Sequence, residues 1–124
     1  MGQAENKRAR EYGELHAAFR MMEALAKGTG TLAEPAKRKR TIDKPRQEVS
    51  ALLRDTSEYI LLAREKGGDH AKAAEQLYAE IAKLIAPEPM YAKNPNPEEK
   101  AAFERGYQDQ LTDYRGRWGG LASL

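Results

Sequence analysis

The chain has no cysteine, and its 124 residues include only one tryptophan, two phenylalanines and two histidines. Without cysteine there is no disulfide, no thiolate zinc site and no cysteine nucleophile. His16 and His70 have no His-x-x-x-His or acid–His–acid spacing around them, so both read as surface or boundary histidines. Neither a G-x-x-x-x-G-K-[ST] nor a G-x-G-x-x-G motif is present, and KGTGTLAEP lacks the strand before it and the helix start after it that phosphate binding needs. Charge of one sign is also lacking. Twenty-one Lys and Arg stand against 19 Asp and Glu, a net charge of +2. Any nucleic-acid site must therefore be local, because no global positive field exists. No apolar run approaches the ~18 residues that span a bilayer. The opening MGQAENKRAREYGE has no apolar centre for a secretion signal, and Asn6 stands where a myristoylation signal wants Ser or Thr. These absences lead to an expectation of a cytoplasmic, non-enzymatic protein with no cofactor, no metal and no membrane contact.

What is present is helical periodicity. Tyr12, Leu15, Phe19, Met22 and Ala26 recur at steps of three and four and predict a first helix over about 5–26, with Glu11, Glu14, Arg20 and Glu23 off the apolar stripe. Gly28 and Gly30 end it. Gly13 weakens its middle and permits another helix to come close. Residues 28–43 show no period and read as a long basic linker. A second helix begins near Asp43, with Asp43 as its cap, and carries Val49, Leu52, Leu53, Thr56, Tyr59, Ile60 and Ala63 on its apolar face. Gly67-Gly68 stops it, and Asp69 caps a third helix whose face is Ala74, Leu77, Tyr78, Ile81, Leu84 and Ile85. So short a turn predicts an antiparallel hairpin. Four of the six prolines lie in APEPMYAKNPNP, which reads as an extended loop. Asn96-Pro97-Glu98-Glu99 then starts a last helix running to about Tyr114, followed by a glycine-rich tail in which Trp118 folds back.

The expected fold is all-α. It is a single small bundle of three to four helices over 1–124, with a helix-one arm (1–27), the linker (28–43), a central hairpin (44–86), a Pro-rich loop (87–96) and a C-terminal helix and tail (97–124). The apolar stripe of helix one packs on the hairpin or pairs with a second copy, which makes a homodimer through helix one a candidate.

Two stretches carry candidate binding chemistry. In AKRKRTIDKPR, six of eleven residues are basic: Lys37, Arg38, Lys39, Arg40, Lys44 and Arg46. The run reads as a phosphate-gripping arm, with affinity but no sequence preference, or as a solvated connector. In FERGYQDQLTDYRGRW, the aromatics Phe103, Tyr107, Tyr114 and Trp118 interleave with Arg105, Arg115 and Arg117. Such sets anchor protein interfaces or stack bases; at helical spacing they also form cores.

The ten residues AFERGYQDQL, Ala102 to Leu111, resemble the arginine-glycine-tyrosine-glutamine helix of ribosome modulation factors and of many short prophage proteins. The cysteine-containing second half typical of ribosome modulation factor is missing. The resemblance implies contact with RNA or the ribosome.

The resulting expectation is a helical interaction module whose partner is another protein or a ribonucleoprotein. Tyr107, Tyr114, Trp118, Arg105, Arg115 and Arg117 would form its docking surface. A phage or mobile-element protein that blocks host machinery is one such module. The alternative is an RNA- or DNA-binding protein using the basic run 37–46.

Overall fold

The computed structural model describes the backbone of residues 2–28, 35–85 and 95–122, and the side chains of 7–28, 38–44, 47–85 and 95–121. Among the described residues the chain is all-α, with five helices and no strand. They are α1 (Gly2–Lys27), α2 (Pro35–Asp43), α3 (Pro45–Lys66), α4 (Gly68–Leu84) and α5 (Pro97–Ala122). Of the Pro-rich loop expected over 87–96, residues 87–94 lie outside the described residues.

α1 is the centre of the fold. Every residue from Leu15 to Ala26 is buried, including His16, Arg20 and Glu23. The expected stripe of Tyr12, Leu15, Phe19 and Met22 is inside, but so are Ala18 and Leu25 on its flank and Ala17, Met21 and Ala24 on the opposite side. Arg20 and Glu23, which lie off the expected stripe, are nonetheless buried and form an ion pair of 2.9 Å. A helix enclosed on all sides has no weaker face for charges to occupy, so they must pair. Helix one therefore packs in the core of its own chain, with its apolar stripe buried there.

The innermost helix pair is α1 with α5, not the segment 44–86. The two run antiparallel: Arg10 Nη2 donates to Asp109 Oδ2 at 2.8 Å, and His16 lies 6.0 Å from the ring of Phe103. Gly13 lies against the backbone of Phe103 and Tyr107, and Gly106 against that of Arg10, which brings the helix axes close. α3 and α4 meet at Gly67 and lie side by side in opposite directions. Arg64 stands 3.9 Å from Glu75 near the turn, and Leu53 and Ile85 line one cavity at the far end. Thr56, Ala63, Ala73, Ala74, Leu77 and Ile81 are buried in the core. The Thr56 hydroxyl is satisfied by donating to the Leu52 carbonyl at 2.8 Å.

Several local expectations are corrected. Residues 35–43 are helical rather than linker, so α2 is an additional helix. Pro35 opens it, as proline can at a first helical position. Thr41 and Ile42 are buried, and that burial supplies the ordering a basic run lacks. Asp43 ends α2 instead of capping α3, whose N-cap is Lys44 with no side-chain bond. Asp69 lies in the first turn of α4, behind the N-cap Gly67. Gly67 and Gly68 have φ of 69° and 52°, the left-handed region glycine enters cheaply, so the backbone turns the corner without a side-chain cap. The start of α5 follows its sequence signal. Asn96 N–H donates to Glu99 Oε1 at 2.9 Å, and Glu99 N–H donates to Asn96 Oδ1 at 2.8 Å.

α5 does not stop at Tyr114. Its glycines at 116, 119 and 120 cost up to about 1 kcal/mol each against Ala, yet the helix continues to Ala122. Tertiary contacts hold it. Arg117 forms a bidentate pair with Glu80 of α4 at 2.7 and 2.8 Å and bonds Asp113 at 2.8 Å. His70 Nε2 lies 3.0 Å from the Leu121 carbonyl. Trp118 does not fold back from a tail but stacks on Tyr114 within the helix, 5.5 Å between centroids.

Candidate functional site

α3 and α4 leave an apolar groove on their outer side. Four large apolar side chains among the described residues are exposed: Leu61 (59%), Tyr78 (55%), Leu62 (42%) and Ile85 (42%). Three of them line two adjoining cavities. One, of about 340 Å³, lies between Ser57, Ile60, Leu61, Arg64 and Tyr78. The other, of about 200 Å³, lies between Leu53, Ser57, Tyr78, Ile81 and Ile85. Ser57 and Tyr78 belong to both, so the groove is continuous along the helix pair.

The local cause is visible in the residue spacing. On α3, positions 53, 57, 60, 61 and 64 share one side, while Thr56 and Ala63 share the side turned to α1. On α4, Tyr78 and Ile85 lie along the edge of the face that carries Ala74, Leu77 and Ile81, and Ile81 itself reaches the groove. Sequence reading put Leu53, Thr56, Ile60 and Ala63 on one apolar face of α3 and Tyr78 and Ile85 with Ala74, Leu77 and Ile81 on one face of α4, and it left out Leu61. In the structure each face divides: Thr56, Ala63, Ala74, Leu77 and Ile81 are buried, while Tyr78 and Ile85 border solvent. The signal that could have found this is the width of the apolar arc, which is more than one neighbouring helix can cover.

The aromatic–arginine set lies elsewhere. Tyr107, Tyr114 and Trp118 are buried in the core rather than displayed on the surface. The hydrophobic stripe of α5 faces α1, as an amphipathic helix normally faces a core. Burial pushes the pKa of both tyrosines up. Arg105 and Arg115 are exposed on the opposite side of α5. Arg117 is held by Glu80 and Asp113 and lies 4.3 Å over the Trp118 ring. Its pKa is raised, first by the hydrogen bond to Glu80.

The basic run is divided. Arg38 turns inward, donating to Glu104 Oε1 at 2.8 Å and lying 4.8 Å from the centroid of Tyr107. Burial is the largest single influence and lowers its pKa, but the hydrogen bond and charge of Glu104, together with Tyr107, outweigh it and keep the pKa above the usual value. Lys39, Arg40 and Lys44 are exposed. The side chains of Lys37 and Arg46 lie outside the described residues. The ERGYQ segment that resembles ribosome modulation factors is accounted for by packing: Gly106 is the point of closest approach to α1, Tyr107 is core, and Glu104 holds Arg38.

Among the described residues no group of three or more His, Asp or Glu is placed to hold a metal ion, and no helix is long and apolar enough to cross a membrane. Comparison with protein-family models, with curated proteins and with solved structures finds no match to this chain.

Proposed function

We propose that the chain is a non-enzymatic helical interaction module that docks a partner protein in the groove between α3 and α4. The observation that carries this reading is Tyr78. It is a large aromatic, more than half exposed, and forms the common wall of two apolar cavities. Exposed aromatic and aliphatic side chains grouped along a groove are what protein interfaces use as anchors. The occupant is an amphipathic helix of the partner. Two antiparallel helices offer a trough along their length, and a third helix fills it with side chains at i, i+4 and i+7. Ala82, small, exposed and one turn beyond Tyr78 on the lining of the groove, permits close approach. Action is by occupation of a surface, which is steric and needs no catalytic group.

Site-directed photo-crosslinking tests this. A photoreactive residue replaces Leu61 in one version of the full chain and Arg105 in another. Each is exposed to a lysate of the source cells, and adducts are identified by mass spectrometry. The expected result is one dominant protein adduct from position 61, lost when Tyr78 is changed to Ala. Adducts from position 105 alone would move the interface to α5, and adducts of the chain with itself would make it a homo-oligomer. Either result overturns the groove as a partner site.

A further inference from the structure

The apolar groove of α3 and α4 has a charged rim, and the charges on it are ordered. On α3, Leu61 is the most exposed of the apolar side chains, at 59%. Its neighbours one turn away on the outer side, at i−3 and i+4, are Glu58 and Glu65. Both are exposed, and neither carboxylate is held by an ion pair or a hydrogen bond among the described residues. Across the groove on α4, Glu75 stands one turn before Tyr78. Its charge is offset by Arg64 at 3.9 Å, the only charged residue that lines either cavity. The rest of that border is small and neutral: Ala79 and Ala82, both exposed. The unbalanced charge beside the larger cavity is therefore negative and lies on α3. Arg54 stands one turn before Glu58, toward Leu53, so the rim changes sign beside the smaller cavity.

The patch is too small for a stable pairing of two copies. Leu61, Tyr78 and Ile85 are between 42% and 59% exposed. Together they offer on the order of 300 Å², against the ~800 Å² that each partner of a standard interface buries. A single helix resting a few anchors in the groove matches that area.

We infer that the docked helix is basic on one flank. This rests on the reading of the groove as a docking site and gives the partner a charge pattern. Its apolar stripe enters the two cavities, Lys or Arg on one flank meets Glu58 and Glu65, and the end near Arg54 carries no cation. An acidic helix would bring like charge to two unpaired carboxylates, and a neutral helix would leave them unmatched. Exposed pairs of this kind add little affinity; they select the partner and speed encounter.

A phage-displayed library of alanine-based helices, with the full chain as bait, tests this. Apolar positions are drawn from Ala, Leu, Ile and Trp, and flanking positions from Lys, Glu and Gln. The expected outcome is selection of helices with Lys on one flank, which move the NMR signals of Leu61 and Tyr78. The chain's net charge of +2 opposes such selection, so a Lys flank would report the local acids. Tyr78→Ala should weaken a selected peptide at least about thirtyfold, which reads the groove. Glu58→Gln with Glu65→Gln should weaken it about threefold to tenfold and flatten its salt dependence, which reads the rim. Neither carboxylate is bonded, so the double variant should keep its fold, and a thermal melt checks this. Selection of no peptide that needs Tyr78 would overturn the groove and this inference together. Selection of Glu or Gln flanks would overturn the inference alone. So would Lys-flanked peptides that bind the folded double variant unchanged.

Discussion

Gly13 of α1 and Gly106 of α5 mark the place where the two central helices touch backbone to backbone. A Cβ built on Gly13 collides with the carbonyl oxygen of Phe103 and stands 2.8 Å from the nitrogen of Tyr107; one built on Gly106 collides with the carbonyl oxygen of Arg10. Neither obstacle is a flexible side chain, so neither can step aside. The helices themselves would have to separate, and the buried rings of Phe103 and Tyr107 would lose contacts with them.

Gly13→Ala and Gly106→Ala should therefore each destabilise the protein by about 3 kcal/mol or more, despite a gain in helix propensity of up to about 1 kcal/mol. The double variant should cost less than the sum, because one separation relieves both clashes. Gly116, also inside α5, has nothing within 4 Å of a built Cβ. Gly116→Ala should stabilise by up to about 1 kcal/mol. Urea unfolding followed by circular dichroism reads all four, and equal effects at 106 and 116 would disprove the close crossing.

The buried pair Arg20–Glu23 should show the asymmetry of buried charges. Removing one partner leaves the other unpaired, so Glu23→Ala should cost about 3–5 kcal/mol. It also takes the acceptor from the Tyr59 hydroxyl. Replacing both residues with apolar ones of similar size, Arg20→Met with Glu23→Leu, should recover much of the loss. A double-mutant cycle in urea measures the coupling. Additive losses would show that the two charges do not depend on each other.

How much of this was legible in the sequence differs by element. α4 and the start of α5 were readable because local signals and tertiary structure agree there: the Gly67-Gly68 turn, and the reciprocal Asn96–Glu99 cap. α2 was missed because its stabilisation is not local. Its order comes from burial of Thr41 and Ile42 and from Arg38 reaching Glu104, 66 residues away. The end of α5 was missed for the same reason: glycines at 116, 119 and 120 argue for a tail until Glu80 takes hold of Arg117. The groove was signalled only by the width of the apolar arc, since its place depends on which helices lie beside α3. Periodicity says that a face is apolar; it does not say how much of that face a neighbour covers.

Arg117 should then control the last turns of α5. Arg117→Ala removes the fork to Glu80, the bond to Asp113 and the cover over Trp118. With both partners part-exposed, the loss should be about 1 kcal/mol. Its location matters more than its size. Hydrogen exchange should accelerate over 116–121 while 99–111, packed on α1, stays protected. Uniform acceleration along α5 would show that the helix opens as one unit and that the Arg117–Glu80 fork is not what holds its end.

Tyr59 should make the protein sensitive to alkali. Burial, then the hydrogen bond to Glu23, push its pKa up to about 12 from the ordinary 10.0. A pKa raised on folding means the folded state favours the neutral phenol. The associated stability is whole below pH 10, declines once the unfolded chain can ionise, and is gone as pH passes about 12. Tyr107 and Tyr114 are shifted in the same direction by burial, so Tyr59→Phe should reduce the alkaline loss without abolishing it. Unfolding free energies measured from pH 8 to pH 12 compare the two proteins. Identical slopes would mean that the Tyr59 phenol is not held neutral by Glu23.

The basic run permits a last prediction about nucleic acid. Arg38 is engaged with Glu104 and Tyr107, which leaves Lys39, Arg40 and Lys44 as the exposed cations described in this stretch. Glu48 and Asp55 lie close to Arg40 and oppose a phosphate there. Three phosphate contacts limit the salt dependence to a log–log slope of about −3, far from that of a dedicated binder. Fluorescence anisotropy with short single-stranded RNA and duplex DNA should therefore show weak binding at low salt and none near physiological salt. Lys39→Glu with Lys44→Glu should remove even the weak phase. Tight binding with a steeper slope would require cations beyond these three. It would make phosphate recognition, rather than the α3–α4 groove, the first function to pursue.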